Sequence, residues 1–190
     1  ANSINIGRLV PQVVYYVYAY AKLLENEQIE NGEEINVVVP TGNFGNILAA
    51  YFAKHMGVPI KTLICASNDN KVLYDFFTTG TYDRKREFIL TNSPSMDILI
   101  SSNLERLIYH ATGNDAAQTA AYMKQLVDQG HYQVTPQMQA TYADFYGGYA
   151  DEAQIEASIK AVYEATGYVL DPHTAVATSV YSDYRQETGD

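Results

Sequence analysis

The residues whose types and spacing are best suited to chemistry form the segment PTGNFGN, residues 40–46. Two glycines enclose an asparagine and a phenylalanine, directly before apolar residues that recur with the period of a helix. A glycine turn that enters a helix presents backbone N–H groups and the positive end of the helix dipole to one point, where a phosphate group can bind. The residues predicted to make this contact through their main-chain amides are Gly42, Asn43, Phe44, Gly45 and Asn46.

The spacing within this segment excludes two common nucleotide motifs. A P-loop requires Gly-Lys-Ser or Gly-Lys-Thr, but the first lysine after Gly45 is Lys54. A dinucleotide fingerprint requires G-x-G-x-x-G, and only G-x-x-G is present. The residues alone leave two interpretations open, which are a phosphate site and a tight turn with Phe44 in the core.

The elements around the glycine turn predict its setting. Residues 35–39 are a β-branched run typical of a strand buried on both faces, and residues 60–66 form a second apolar strand. A helix between them, beginning near residue 44, completes a strand–helix–strand unit. The predicted fold class is therefore α/β, with an open, mostly parallel sheet flanked by helices in a single domain over residues 1–190.

Other elements follow from periodicity and from capping residues. A helix is predicted over residues 9–24, and its buried face is expected to hold Val10, Val13, Val14, Val17, Ala21 and Leu24. Asp171 and Pro172 mark the start of a last helix, residues 173–185. Short strands are expected at residues 88–90 and 168–170, a charged exposed stretch at 82–87 and a loop at 145–149.

Composition narrows the classes of partner. The formal net charge of −10 argues against binding to nucleic acid or to an anionic membrane surface. Cys65 is the single cysteine, so no internal disulfide forms and a cytoplasmic location is expected. No two histidines have the spacing of a metal site, so no metal is expected.

Four stretches together resemble the threonine synthases, which are pyridoxal 5'-phosphate enzymes of fold type II, the tryptophan synthase β group. PTGNFGN is similar to the loop with which that family holds the cofactor phosphate, and NSINIGR, SPSMDILISSNLER and DPHTAVA also match in the family's order. The resemblance spans nearly the whole chain. It implies that the sequence is part of the large domain of such an enzyme.

The resemblance also implies roles for individual residues. It implies that the hydroxyl of Thr174 in DPHTAVA meets the pyridine nitrogen of the cofactor, whereas the alternative is a helix residue with a local backbone hydrogen bond. An arginine beside small polar residues suits a substrate carboxylate or phosphate, and the alternative is a helix cap followed by a solvated arginine. The predicted substrate-binding group is Asn2, Ser3, Asn5 and Arg8. In SPSMD, residues 93, 95 and 97 are expected only to shape a loop and to cap a helix.

One family feature is missing from the chain. In threonine synthases a lysine in a Phe-Lys-Asp context upstream forms a Schiff base with the cofactor, and none of the seven lysines here has that context. We therefore expect no catalytic residue in this chain, which would be the C-terminal part of a threonine synthase and inactive alone. Its partner would be the missing N-terminal part. The resemblance implies that the intact enzyme converts O-phospho-L-homoserine and water to L-threonine and phosphate.

Three alternatives remain open. Another fold-type-II enzyme, such as a serine/threonine dehydratase or a cysteine synthase, carries a phosphate loop richer in glycine than GNFGN. A dinucleotide-binding domain would use Asp69, but the separation from Gly42 exceeds the usual ~20 residues. A phosphate-binding module without catalysis is the third.

Overall fold

A computed structural model describes residues 5–190. Its helices are α1 (Ile6–Leu9), α2 (Val13–Glu25), α3 (Gly45–His55), α4 (Val72–Thr79), α5 (Leu104–Ala111), α6 (Ala116–Gln129), α7 (Pro136–Ala140), α8 (Glu152–Thr166) and α9 (Pro172–Thr188). Its strands are β1 (Ile35–Pro40), β2 (Ile60–Ser67), β3 (Thr81–Asp83), β4 (His131–Gln133) and β5 (Phe145–Tyr149). Short 3₁₀ helices cover Val10–Gln12 and Pro94–Met96.

The main sheet is parallel and has the order β1-β2-β5, with β2 in the centre. Strand β1, helix α3 and strand β2 form the predicted strand–helix–strand unit. Strands β3 and β4 form a separate antiparallel pair in which Tyr82 lies opposite Tyr132. The predicted α/β fold with a parallel sheet flanked by helices is confirmed.

Side chains of β2 alternate between two apolar layers. Leu63 and Cys65 pack into the layer that holds the buried residues of α2 to α6, whereas Ile64 and Ala66 pack against α8 and α9. Strand β2 is thus buried on both faces, but the same prediction for β1 is wrong. Only Val39 is fully buried in β1, because this strand is the edge of the sheet among the described residues.

Residues 145–149, predicted to be a loop, instead form β5. Two glycines make this strand possible because helices approach it closely. A Cβ on Gly148 would lie 2.4 Å from a methyl group of Val180 in α9, and one on Gly147 would lie 3.0 Å from Phe77 in α4. The glycines that suggested a loop are needed for this close packing.

The structure divides the helix predicted over residues 9–24 into the end of α1, a 3₁₀ helix and α2, and the buried face of this segment also differs from the prediction. Val13 is buried as expected, but Val10, Val14 and Val17 are 44–62% exposed. The buried residues follow an adjacent stripe that includes Leu9 and Tyr20. Both stripes have helical spacing, and contact with α3 selects the second one.

Three smaller predictions are corrected. Tyr82 is buried because β3 pairs with β4, so residues 82–87 are not exposed throughout. Residues 88–90 and 168–170 have no strand structure, and Leu90 and Val169 are exposed.

Within residues 5–190, no helix has the length and hydropathy that crossing a lipid bilayer requires.

Candidate phosphate-binding site

The PTGNFGN segment lies at the carboxyl end of β1, where α/β sheets place their ligand sites. Strand β1 ends at Pro40 and α3 begins at Gly45. Thr41 anchors the start of the turn, because its amide donates to Ala66 O at 2.8 Å and its hydroxyl donates to Val39 O at 2.7 Å. The turn is therefore fixed to the two strands beside it.

Phe44 shapes the turn through its backbone and through its ring. Its φ of 64° lies in the left-handed region, which is uncommon for a residue other than glycine. The ring is 1% exposed, and its centroid lies 6.0 Å from that of Phe77 and 5.7 Å from that of Phe145. Core packing therefore holds the strained backbone that leads into α3.

The carbonyl groups of the turn bond to a segment 59–60 residues further along the chain. Ser101 Oγ donates to Gly42 O at 2.7 Å. Asn103 donates to Asn43 O twice, from its backbone nitrogen at 3.1 Å and from Nδ2 at 2.9 Å. These carbonyl groups are thus directed toward residues 101–103.

The amide groups of the turn, unlike its carbonyl groups, have no hydrogen-bond partner in the protein within residues 5–190. No side chain caps α3. The amides concerned belong to Gly42, Asn43, Phe44, Gly45 and Asn46. A main-chain amide that is shielded from water is costly when it has no acceptor. An oxyanion would satisfy these amides, so the turn fits a phosphate group.

The side chains of Asn43 and Asn46 bond to protein. Asn46 accepts from Tyr16 Oη at 2.5 Å and donates to Gln12 Oε1 at 3.0 Å, which ties α3 to α2. Asn43 Oδ1 lies 3.4 Å from Ser102 Oγ. Their amides, rather than their side chains, are the groups that face away from protein partners.

Ser95 joins the turn to the start of α9. A Cβ on Gly42 would lie 2.5 Å from the carbonyl oxygen of Ser95, so only glycine fits there without movement. The Ser95 amide donates to His173 Nε2 at 3.2 Å. The helix start that carries Thr174 and the glycine turn therefore contact the same residue.

Thr174 is exposed in the first turn of α9. Its hydroxyl donates to the carboxylate of Asp171, the residue that caps the helix and also accepts from the amides of His173 and Thr174. The Thr174 hydroxyl and these amides hold the pKa of Asp171 below its ordinary value. The hydroxyl thus makes a local hydrogen bond, but to the Asp171 side chain and not to the backbone as in the alternative interpretation.

A buried polar network fixes the loop that carries Ser95. The Asp97 carboxylate accepts from Asn68 Nδ2 at 2.8 Å, from Asn70 Nδ2 at 2.9 Å and from the amide of Thr91 at 3.0 Å. Asp97 shapes the loop as expected. Ser95, however, lies inside a 3₁₀ helix and makes no capping bond.

The predicted substrate-binding group is only partly described. Asn2 and Ser3 lie outside the described residues. Asn5 caps α1, because its Oδ1 accepts from the amide of Gly7 at 2.8 Å. Arg8 is exposed in the same helix, and its carbonyl oxygen accepts from Gln12 Nε2 at 2.7 Å. Gln12 also binds Asn46, so this segment lies near the start of α3.

The other titratable groups give no second site. Burial raises the pKa of the Cys65 thiol to about 12, which agrees with an inert core role. Burial and the nearby Asp151 and Glu152 raise the pKa of Asp69. Among residues 5–190 no cluster of His, Cys, Asp and Glu is arranged to hold a metal ion.

Six of the seven lysine side chains contact residues outside the glycine turn. Lys71 lies over the ring of Tyr149, with Nζ 4.0 Å from the centroid. Five others pair with carboxylates, namely Lys22 with Glu25, Lys54 with Asp144, Lys61 with Asp190, Lys124 with Asp128 and Lys160 with Glu164.

The sequence alone does not identify Ser101 and Asn103 as site residues. Serine and asparagine carry no local signal that would link them to a turn near residue 43. The one available indication was the similarity of SPSMDILISSNLER to the threonine synthases, which marked the segment without assigning it a role.

The α/β fold, with its parallel sheet flanked by helices, matches that of solved fold-type-II pyridoxal-phosphate enzymes. A solved structure of threonine synthase from Brucella melitensis, described as bound to PLP, superimposes on the whole chain with a TM-score of 0.90 and 39% identity. The threonine synthase structure from yeast also gives a TM-score of 0.90, with 34% identity over the whole chain.

Sequence comparison gives the same result. The chain is 46% identical over 190 residues to threonine synthase-like 1 of Homo sapiens and 38% identical over 189 residues to threonine synthase of Saccharomyces cerevisiae. These matches cover 99% and 92% of this chain, but 26% and 36% of those proteins. No protein-family model matches the chain. The chain is therefore homologous, over essentially its whole length, to one part of the threonine synthases and threonine synthase-like proteins.

Proposed function

We propose that this chain holds the phosphate of pyridoxal phosphate in a threonine synthase. The observation that carries the proposal is the glycine turn, whose carbonyl groups are bonded to Ser101 and Asn103 while its amides have no acceptor within residues 5–190. The amides of residues 42–46 would bind the phosphate oxygens, assisted by the dipole of α3. The similarity to a threonine synthase bound to PLP supports this ligand over other phosphates.

The remaining assignments are part of the same proposal. Thr174 would contact the pyridine nitrogen with its hydroxyl, which has no formal charge and so favours protonation of that nitrogen less than a carboxylate would. Arg8, with Asn2, Ser3 and Asn5, would bind an anionic group of the substrate. Because Asn5 already caps α1, its contribution would be to position the segment.

Bound pyridoxal phosphate supplies an electron sink that makes carbon–hydrogen bonds near the substrate amino group acidic. We propose that the whole protein uses it to convert O-phospho-L-homoserine and water to L-threonine and phosphate. The lysine that this chemistry requires would lie in a part of the protein outside this chain, so the chain alone is expected to form no threonine. This part, proposed to be the C-terminal part of the large domain, would bind and orient the cofactor. The location would be cytoplasmic.

The proposal is tested by titrating the chain with pyridoxal phosphate and, separately, with pyridoxal. Both compounds carry the same aldehyde and react alike with surface lysines, so the phosphate is the difference between them. Because charge-assisted hydrogen bonds are worth about 1.5–3 kcal/mol each, we expect pyridoxal phosphate to bind at least about tenfold more tightly. Equal dissociation constants, measured by equilibrium dialysis, would contradict a phosphate site.

A further inference from the structure

We propose that Ser101 and Asn103 are positioning residues that orient the main-chain amides of the glycine turn toward the phosphate. The proposal rests on the proposed function, and it adds a role for two residues outside the glycine turn. Ser101 and Asn103 are 5% and 1% exposed, so their polar groups are directed into the protein.

The argument follows from the geometry of the peptide bond. In a planar trans peptide the carbonyl oxygen of one residue and the amide hydrogen of the next point in opposite directions, and no cis peptide occurs within residues 5–190. The bond from Ser101 Oγ to Gly42 O therefore directs the Asn43 amide away from Ser101. The two bonds from Asn103 to Asn43 O direct the Phe44 amide in the same way.

The orientation of the Asn103 side chain is itself fixed. Its Oδ1 accepts from Arg106 Nε at 3.3 Å, so its Nδ2 faces the turn as a donor. Without these donors the carbonyl groups of Gly42 and Asn43 would lose partners, and their peptide units would gain freedom to rotate. A rotated unit would present a carbonyl oxygen to the phosphate in place of an amide, which would repel the anion.

The test compares four variants of the full chain. Ser101→Ala removes one donor, Asn103→Asp replaces the Nδ2 donor by an acceptor of the same shape, and Ser101→Thr restores the hydroxyl. Ser102→Ala is the matched control, because the Ser102 hydroxyl lies 3.4 Å from the side chain of Asn43 and bonds to no carbonyl group of the turn. The measured quantity is the ratio of the affinities for pyridoxal phosphate and pyridoxal.

We expect Ser101→Ala and Asn103→Asp to lower this ratio by about three- to tenfold, as for the loss of one hydrogen bond. Ser101→Thr and Ser102→Ala should keep the wild-type ratio. Unchanged ratios in the first two variants, or an equal loss in Ser102→Ala, would overturn the inference while leaving the phosphate site intact. A wild-type chain without preference for pyridoxal phosphate would overturn both proposals.

A second measurement tests the inference if the Ala and Asp variants do not fold. Ser101→Thr and the wild type are compared by ¹H–¹⁵N spectra with inorganic phosphate as the ligand. The amide signals of Asn43 and Phe44 are expected to shift in both proteins. If phosphate shifts the other amides of residues 42–46 but not these two, the inference alone is wrong; if it shifts none of them, the phosphate site is wrong as well.

Discussion

Replacing Gly42 by alanine is expected to lower the affinity for pyridoxal phosphate by roughly ten- to a hundredfold. The added Cβ would lie 2.5 Å from the carbonyl oxygen of Ser95, a main-chain atom that cannot rotate away. Overpacking of this kind costs about 1–3 kcal/mol. The turn or the loop of Ser95 must move, and movement of the turn displaces the amides proposed to bind the phosphate.

The control for this variant is Gly113→Ala. Gly113 has a φ of 71°, so alanine there is strained, but a Cβ would meet nothing within 4 Å. We expect Gly113→Ala to lose some stability and to bind pyridoxal phosphate like the wild type. If Gly42→Ala binds the cofactor as tightly as Gly113→Ala does, the turn does not contact the phosphate.

Replacing Phe44 by alanine is expected to lower the free energy of unfolding by about 3–5 kcal/mol. The Phe44 ring is 1% exposed and packs against Phe77 of α4 and Phe145 of β5, which stack on each other with centroids 5.1 Å apart. Its removal leaves a cavity between α3, α4 and the sheet. Urea unfolding followed by circular dichroism measures the loss.

Phe88→Ala is the matched control for the loss of a phenyl ring. Phe88 is 47% exposed and lies outside the helices and strands. Its replacement should change the free energy of unfolding by no more than about 0.5 kcal/mol. A loss below about 1 kcal/mol for Phe44→Ala would mean that the turn does not depend on this aromatic contact.

The strand, turn and helix at the site were predictable because their signals are local. A β-branched run, a turn with two glycines and an apolar pattern of helical period specified β1, the turn and α3 within residues 35–55. The start of α9 was equally clear from Asp171 and Pro172, which the structure places at the N-cap and the first helical position.

The sequence predictions that were wrong concern elements whose structure is decided by tertiary contacts. Strand β5 contains Gly147 and Gly148, whose meaning depends on how closely α4 and α9 approach. Helix α2 has two adjacent apolar stripes, and its own sequence does not say which one packs on α3. The donors at Ser101 and Asn103 are 59 and 60 residues from the carbonyl groups they bind, so no local pattern reveals them.

The central claim concerns the main-chain amides of residues 42–46, and ¹H–¹⁵N spectra of the chain titrated with pyridoxal phosphate observe them directly. The account predicts that the signals of these amides shift together and saturate with one dissociation constant, whereas pyridoxal leaves them in place. It is contradicted if they do not move while the amides at the start of α8 or at other surface positions do.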